Sequence, residues 1–182
     1  PNPDNKEAMA SIQQAVLQNK ADLGVIFDTD VDRSALVDAS GEVINRNNLI
    51  AVLATIVLDE YPGSSIVTNS PTSSHLKDFI EAKGGKQVRY ISGYRNVINK
   101  MIELNNKGIE TPLAIETSGH AAFKENYFLD DGAYVIAKIL MLLPKLKAQN
   151  ETLGELIESL KQPLETQELR FEIMADDVKG YG

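Results

Sequence analysis

Short apolar runs alternate along this chain with stretches of helical periodicity, and that alternation restricts the fold more than any single residue does. Leu23 to Phe27, Ser65 to Thr68, Gln87 to Ile91 and Leu113 to Ile115 read as strands. Around them, Ala8, Met9, Ile12, Ala15 and Val16 recur at the i, i+3/i+4 spacing of an amphipathic helix, as do Leu76, Phe79 and Ile80, and Val97, Ile98, Met101 and Ile102. A helix over Asn47 to Asp59 is apolar on most faces and is expected to be well buried, and a long helix is expected from Asp131 to Leu146. Strands and helices alternating at this spacing imply an α/β fold: a mainly parallel mixed sheet with helices on both faces.

The two ends of the chain depart from that rhythm. A helix over Asp4 to Asn19 and the strand Leu23 to Phe27 are followed by a short strand Ala35 to Val37, a turn at Ala39-Ser40-Gly41, and Val43-Ile44, which together make a partial α/β unit with a hairpin added. After Ala148 the composition turns polar; a helix over Thr152 to Leu160 leads to Pro163, and Glu168 to Met174 alternates like a strand. The expected division is residues 1–44, residues 45–147 as a complete α/β domain, and residues 148–182 as a linker and the start of another unit. The chain begins at Pro1 and ends in Lys179-Gly-Tyr-Gly, which fits excision from a larger protein.

Composition narrows the function classes. With 182 residues and 43% hydrophobic content there is material for one sizeable core or two modest ones. The absence of cysteine excludes disulfides and cysteine-based zinc sites. A net charge of −8 argues against a general nucleic-acid or anionic-membrane binder, so no nucleic-acid or membrane partner is expected. The longest apolar run, Ala133 to Leu143, is too short to span a bilayer and is interrupted by Lys138. With no signal peptide evident, a cytoplasmic protein is expected.

The chemistry concentrates in two stretches. In F-D-T-D-V-D-R, Asp28, Asp30 and Asp32 follow directly from an apolar strand, with Arg33 behind them. In open α/β sheets ligands collect beyond the carboxyl ends of strands. Three carboxylates curling around one hard cation would relieve their mutual repulsion; magnesium suits such oxygen donors, and Arg33 adds a cationic fork for a phosphate or a sugar oxygen. A solvated acidic turn is the plain alternative. An EF-hand calcium loop is excluded, because its sixth and twelfth positions hold Arg33 and Ala39 instead of Gly and Glu. A haloacid-dehalogenase-like phosphatase, with Asp28 as nucleophile, matches Asp28 and Asp30 but has Asp32 where Thr or Val is usual, and lacks the downstream acidic motif. In the second stretch, A-I-E-T-S-G-H-A-A-F, Glu116, Ser118 and His120 beyond a strand end offer a carboxylate, a hydroxyl and an imidazole to a polyol. His75, near the start of a helix, reads as structural or solvent-facing.

Taken together, these stretches carry a resemblance. D-T-D-V-D-R resembles the D-G-D-x-D-R metal loop of the α-D-phosphohexomutases, the phosphoglucomutase and phosphomannomutase family, and E-T-S-G-H resembles that family's G-E-x-S-G-H sugar loop. P-N-P-D-N-K-E-A-M, G-G-K-Q-V-R and D-D-G-A-Y are similar in the same order. The resemblance implies four domains around one cleft, and interconversion of hexose 1-phosphate and 6-phosphate through a phosphoserine and a bisphosphate intermediate. It further implies that Asp28, Asp30 and Asp32 hold Mg2+ with Arg33 beside it, that Glu116 and Ser118 bind sugar hydroxyls, and that His120 contacts the sugar or assists proton transfer. Thr29 and Ile115 replace glycines of the two motifs, and Ser92-Gly93-Tyr94 stands where some members have Thr-Gly-His. No T-A-S-H-N-P-like serine loop or R-x-S-G-T-E-P-like phosphate loop occurs. The chain is therefore expected to be an internal portion of such an enzyme, from the end of domain 2 to the start of domain 4. It should need the remaining domains of its parent chain, and by itself should not turn over hexose phosphate. Glucose and mannose phosphates are the expected substrates, ahead of glucosamine phosphate.

Overall fold

The computed structural model describes residue 3 and residues 5–164. Helix α1 (Lys6–Asn19) is followed by strands β1 (Leu23–Phe27), β2 (Ser34–Asp38) and β3 (Val43–Ile44), and these form an antiparallel sheet in the order β1-β2-β3. Asn5 caps α1, its side chain accepting from the Ala8 N–H. Met9 and Val16 on the inner stripe of the helix meet Ala35 and Val37 of β2. Phe27 pairs with Ser34, so residues 28–33 are the connection of a β-hairpin. The aspartate triplet thus sits in a loop pinned at both ends by one ladder.

The second unit comprises α2 (Arg46–Glu60), β4 (Ser65–Asn69), α3 (Ser74–Ala82), β5 (Lys86–Tyr90), α4 (Tyr94–Asn106), β6 (Leu113–Ile115), β7 (Ala121–Phe123), α5 (Gly132–Gln149) and the short α6 (Leu153–Leu156). Its sheet runs β5-β4-β6-β7: β4 is parallel to β5 and β6, and β7 lies antiparallel against β6. This is the expected mixed α/β layer. Alternation along β4 sends Ile66 into the core built on α2 and α5, and Val67 into a second cluster under α4 with Val97, Met101 and Ala114. Helix α2 is buried from Leu49 through Leu58, which accounts for its apolar residues on every face. The main core also takes in Leu36 and Ile44 of the first sheet, and the partly buried Leu23, Val25 and Phe27 pack against it.

Two expectations change. Ala121 to Phe123, absent from the strands expected from sequence, is an edge strand; three residues are too few to show a period. The helix expected over Thr152 to Leu160 ends at Leu156, although Ile157 and Leu160 remain buried. Thr152 and Glu155 close a capping box at its start. The strand expected over Glu168 to Met174 lies outside the described residues. Among the described residues, no helix is long and apolar enough to cross a membrane.

Candidate metal and sugar site

The hairpin loop brings carboxylate oxygens of Asp28, Asp30 and Asp32 within 4.8 Å of one another. Asp28 is buried, and Arg33 closes over it: the backbone N–H of Arg33 donates to Oδ1 at 3.1 Å and Nε donates to Oδ2 at 2.7 Å. Burial pushes the Asp28 carboxyl up, but the hydrogen bonds and charge of Arg33 overcome that and leave it below its ordinary value. Asp32 moves the other way. Burial raises it, the neighbouring carboxylates Asp28 and Asp130 add to the rise, and His120 opposes it. Its Oδ1 is buried with no hydrogen-bond partner, the state of an oxygen that a cation would satisfy. The donor set is all carboxylate oxygen with Asp30 exposed, which fits a hard divalent ion that keeps some of its water.

The loop's backbone is strained. Val31, between the second and third aspartates, has φ 64°, a left-handed conformation that a β-branched residue rarely adopts. Its carbonyl accepts from the Gly132 N–H at 3.1 Å, at the first turn of α5. A side chain at Gly132 would meet the Val31 carbonyl at 2.8 Å, so that glycine is what lets helix and loop touch.

The second loop lies directly against the first. Arg33 and His120 form an antiparallel bridge, and Asp32 Oδ2 is 3.6 Å from His120 Nδ1. Residues 116–120 make a tight turn, with the Gly119 N–H donating to the Glu116 carbonyl and the Glu116 N–H to the His120 carbonyl. Gly119 has φ 98°, and a Cβ there would sit 2.7 Å from the Ser34 carbonyl oxygen. Asn69, at the end of β4, clamps the turn from below: its Oδ1 accepts from the Thr117 N–H, and its Nδ2 donates to Thr117 Oγ1.

All seven residues singled out from sequence lie on these two loops, but their engagements differ. Glu116 is buried, and its Oε1 accepts from the Gly93 N–H at 2.6 Å, while Oε2 lies 3.5 Å from the hydroxyl of half-buried Ser118. His120 Nδ1 is 2.7 Å from Asp130 Oδ2, and the Tyr94 ring stacks on the imidazole, centroids 5.0 Å apart and planes 19° from parallel. With Nδ1 engaged, Nε2 is the nitrogen left for a substrate. His75 falls in the first turn of α3, away from these loops. Sequence reasoning missed Asp130, Asn69 and Tyr94 as members of the site; the D-D-G-A-Y and S-G-Y segments were the available signals.

Burial pulls the His120 pKa down, but the hydrogen bond and charge of Asp130, with the charge of Asp32, raise it above 6.5. A raised value means that His120 favours the folded state fully below about 6.5, and that this contribution is lost as pH rises through the folded pKa. The chain has only two histidines, so a proton NMR titration of the metal-free protein resolves both. The His120 midpoint is expected above 6.5 and is expected to fall in Asp130→Asn; an unchanged midpoint in that variant would remove Asp130 as the cause.

A hairpin loop of three carboxylates is thus bridged to a loop of polar side chains beyond a strand end of the parallel α/β layer. The family model for phosphoglucomutase/phosphomannomutase alpha/beta/alpha domain III matches residues 45–164, and that for domain II matches residues 1–41. The chain belongs to this family. A phosphomannomutase/phosphoglucomutase of Pseudomonas syringae pv. tomato is 32% identical over 95% of the chain and 36% of its own length; a phosphoglucomutase of Neisseria gonorrhoeae is 29% identical over 90% and 35%. The crystal structure of a phosphoglucomutase/phosphomannomutase family protein from Burkholderia thailandensis superposes with a TM-score of 0.76 at 29% identity, over 92% of this chain and 35% of that one. The chain thus spans about a third of the length of these relatives.

Proposed function

We propose that this chain forms the metal- and sugar-facing wall of a phosphohexomutase that interconverts hexose 1-phosphate and hexose 6-phosphate in the cytoplasm, with glucose and mannose phosphates preferred. The observation that carries this reading is the bridge between Arg33 and His120, which holds the cation loop and the sugar loop as one surface. In this reading residues 1–44 end the second domain, residues 45–147 are the third, and residues 148–182 lead into the fourth.

Asp28, Asp30 and Asp32 would hold Mg2+, which when bound supplies positive charge to a phosphoryl group in transfer. Arg33 keeps Asp28 ionised and fixes its orientation. Ser118 can donate to or accept from a sugar hydroxyl, and Glu116 Oε2, now facing the Ser118 hydroxyl, accepts from one; their placement by Asn69 and Gly93 pre-orders the loop before substrate arrives. His120, held through Nδ1 by Asp130, presents Nε2 to exchange a proton with a sugar hydroxyl. The donor serine and a clamp for the distal phosphate would come from the rest of the parent chain, and the chain by itself is inactive. The phosphatase alternative finds no support: both oxygens of Asp28 are held by Arg33, so it is not poised as a nucleophile.

The test combines binding and turnover. Mg2+ is expected to shift NMR signals of residues 28–33, with affinity at least about tenfold weaker in Asp32→Asn. Glucose 1-phosphate or mannose 1-phosphate is expected to shift residues 116–120. Failure of every hexose phosphate to perturb that loop would overturn the substrate reading, and conversion of glucose 1-phosphate to 6-phosphate by the purified chain would overturn the claim that it is inactive.

A further inference from the structure

Two local preferences run against the shape of the aspartate loop. Asp28, Asp30 and Asp32 hold carboxylate oxygens within 4.8 Å of one another, and like charges so placed repel. Val31, between the second and the third, has φ 64°, where its Cβ crowds the following carbonyl. Along an extended strand Asp30 and Asp32 would stand about 7 Å apart, and a left-handed residue between them turns the chain and shortens that span. Val31 is 39% exposed, so burial of its side chain is a weak hold on this conformation. A strained residue persists only where its surroundings over-determine it. Here the surroundings are the start of α5. The Val31 carbonyl accepts from the Gly132 N–H, a donor in the first turn of an 18-residue helix that no carbonyl within the helix satisfies. Asp131 caps that helix by accepting from the Tyr134 N–H, and Asp130 before it holds His120.

We propose that Val31 and Gly132 are the positioning residues of the cation loop: α5 holds the Val31 carbonyl, and the left-handed backbone so fixed gathers Asp30 and Asp32 beside Asp28 before an ion arrives. The inference rests on the cation reading of this loop and deepens it, by naming what sets the loop's affinity for Mg2+. An ion that must first gather three repelling carboxylates binds more weakly in proportion to the fraction of loops not yet gathered. Arg33 fixes Asp28, whereas the hydrogen bond to Gly132 falls on the stretch between the other two aspartates. Gly132 contributes twice, through its N–H and through its lack of a side chain. A Cβ there would meet the Val31 carbonyl oxygen at 2.8 Å and the Arg33 carbonyl carbon and oxygen at 3.0 and 3.1 Å. All three are backbone atoms, so the loop itself would have to move. What the loop uses of Val31 is its backbone conformation and not its side chain.

The experiment titrates the 182-residue chain with Mg2+, following NMR shifts of residues 28–33, with urea unfolding of each variant in parallel. Val31→Gly and Val31→Asn bring residue types that take the left-handed conformation readily, and should bind Mg2+ at least as tightly as the unaltered chain. Val31→Pro, whose ring holds φ near about −65°, should bind at least about tenfold more weakly with its urea midpoint little changed. Gly132→Ala should lose a similar factor, although alanine by itself favours the helix. If Gly132→Ala does not fold, the Val31 variants, placed in a surface loop, decide the matter. Undiminished affinity in Val31→Pro, or in a folded Gly132→Ala, overturns the inference and leaves the cation reading standing. A loss in Val31→Gly equal to that in Val31→Pro also overturns it, because the valine side chain would then be what the loop uses. Absence of any Mg2+ shift in the unaltered chain overturns the inference and the cation reading together.

Discussion

Gly119→Ala is expected to lower the unfolding free energy by about 3 kcal/mol and to pull the loop of residues 116–120 off the aspartate loop, because two costs of roughly 1–3 kcal/mol each coincide there. The first is backbone strain: φ at this position is 98°, outside the range that an L side chain adopts comfortably. The second is contact. The new Cβ would stand 2.7 Å from the Ser34 carbonyl oxygen and 3.3 Å from the Ser34 nitrogen, which are backbone atoms anchored in β2. A flexible side chain would move aside, but a ladder strand does not, so the loop must retreat. Retreat breaks the bridge between Arg33 and His120. The control is Gly108→Ala. Gly108 has φ 76° but nothing within 4 Å of its Cβ position, so it carries the strain without the clash and should cost only about 1 kcal/mol. Urea denaturation of both variants measures the difference, and Mg2+ titration reads the site. Equal losses in the two would mean that the close approach of the loops contributes nothing beyond backbone conformation.

The other large effect is expected far from the chemistry. Asp38, at the end of β2, is 1% exposed and accepts four hydrogen bonds. Its Oδ1 takes the Ser40 N–H at 2.9 Å, the Ser40 hydroxyl at 2.6 Å and the Glu42 N–H at 3.0 Å, which shapes the turn between β2 and β3. Its Oδ2 takes the Gly154 N–H at 3.1 Å, tying that turn to α6 across 116 residues of sequence. Asp38→Ala removes the acceptor of the buried Gly154 N–H and of the part-buried Ser40 and Glu42 N–H groups, and at 1–3 kcal/mol for a buried group so orphaned, with less for the two that water can reach, the expected loss is about 2–4 kcal/mol. Asp38→Asn, which can still accept but without the charge, should lose about half of that. Thermal and urea unfolding check the ordering; a loss below about 1 kcal/mol in Asp38→Ala would show that water replaces the carboxylate and that the seam to α6 is not held there.

The clustering of the three aspartates was legible because its signal is local. An apolar strand that ends in D-x-D-x-D with an arginine behind it places charge where no core can absorb it, and the hairpin delivers all four side chains to one spot. Glu116, Ser118 and His120 were legible for the same reason, as polar residues clustered past a strand end. Their tasks were less so. Glu116 is partly a bracket for the loop at Gly93, a contact across 23 residues, and Asn69 reaches Thr117 across 48. No periodicity or spacing encodes such pairings, because they follow from β4, β5 and β6 lying side by side. Asp130 and Tyr94 were missed for the same physical reason: their partner, His120, meets them only once α4 and the segment before α5 are packed against the sheet.

By itself, then, the sequence determined most of the segments that become strands and helices, that the sheet is mainly parallel in the second unit, and which polar residues gather past the strand ends. Those follow from apolar period, from turn residues, and from the cost of leaving like charges adjacent without a counter-ion. Only the tertiary structure decided that residues 28–33 form a hairpin connection, and that Gly119 and Gly132 let two backbones approach it. It also decided that His120 is held by Asp130 and Tyr94. Hydrogen bonds and ring contacts act over a few ångströms, and the distance between residues far apart in the chain is set by packing of the sheet and helices, which no local pattern records.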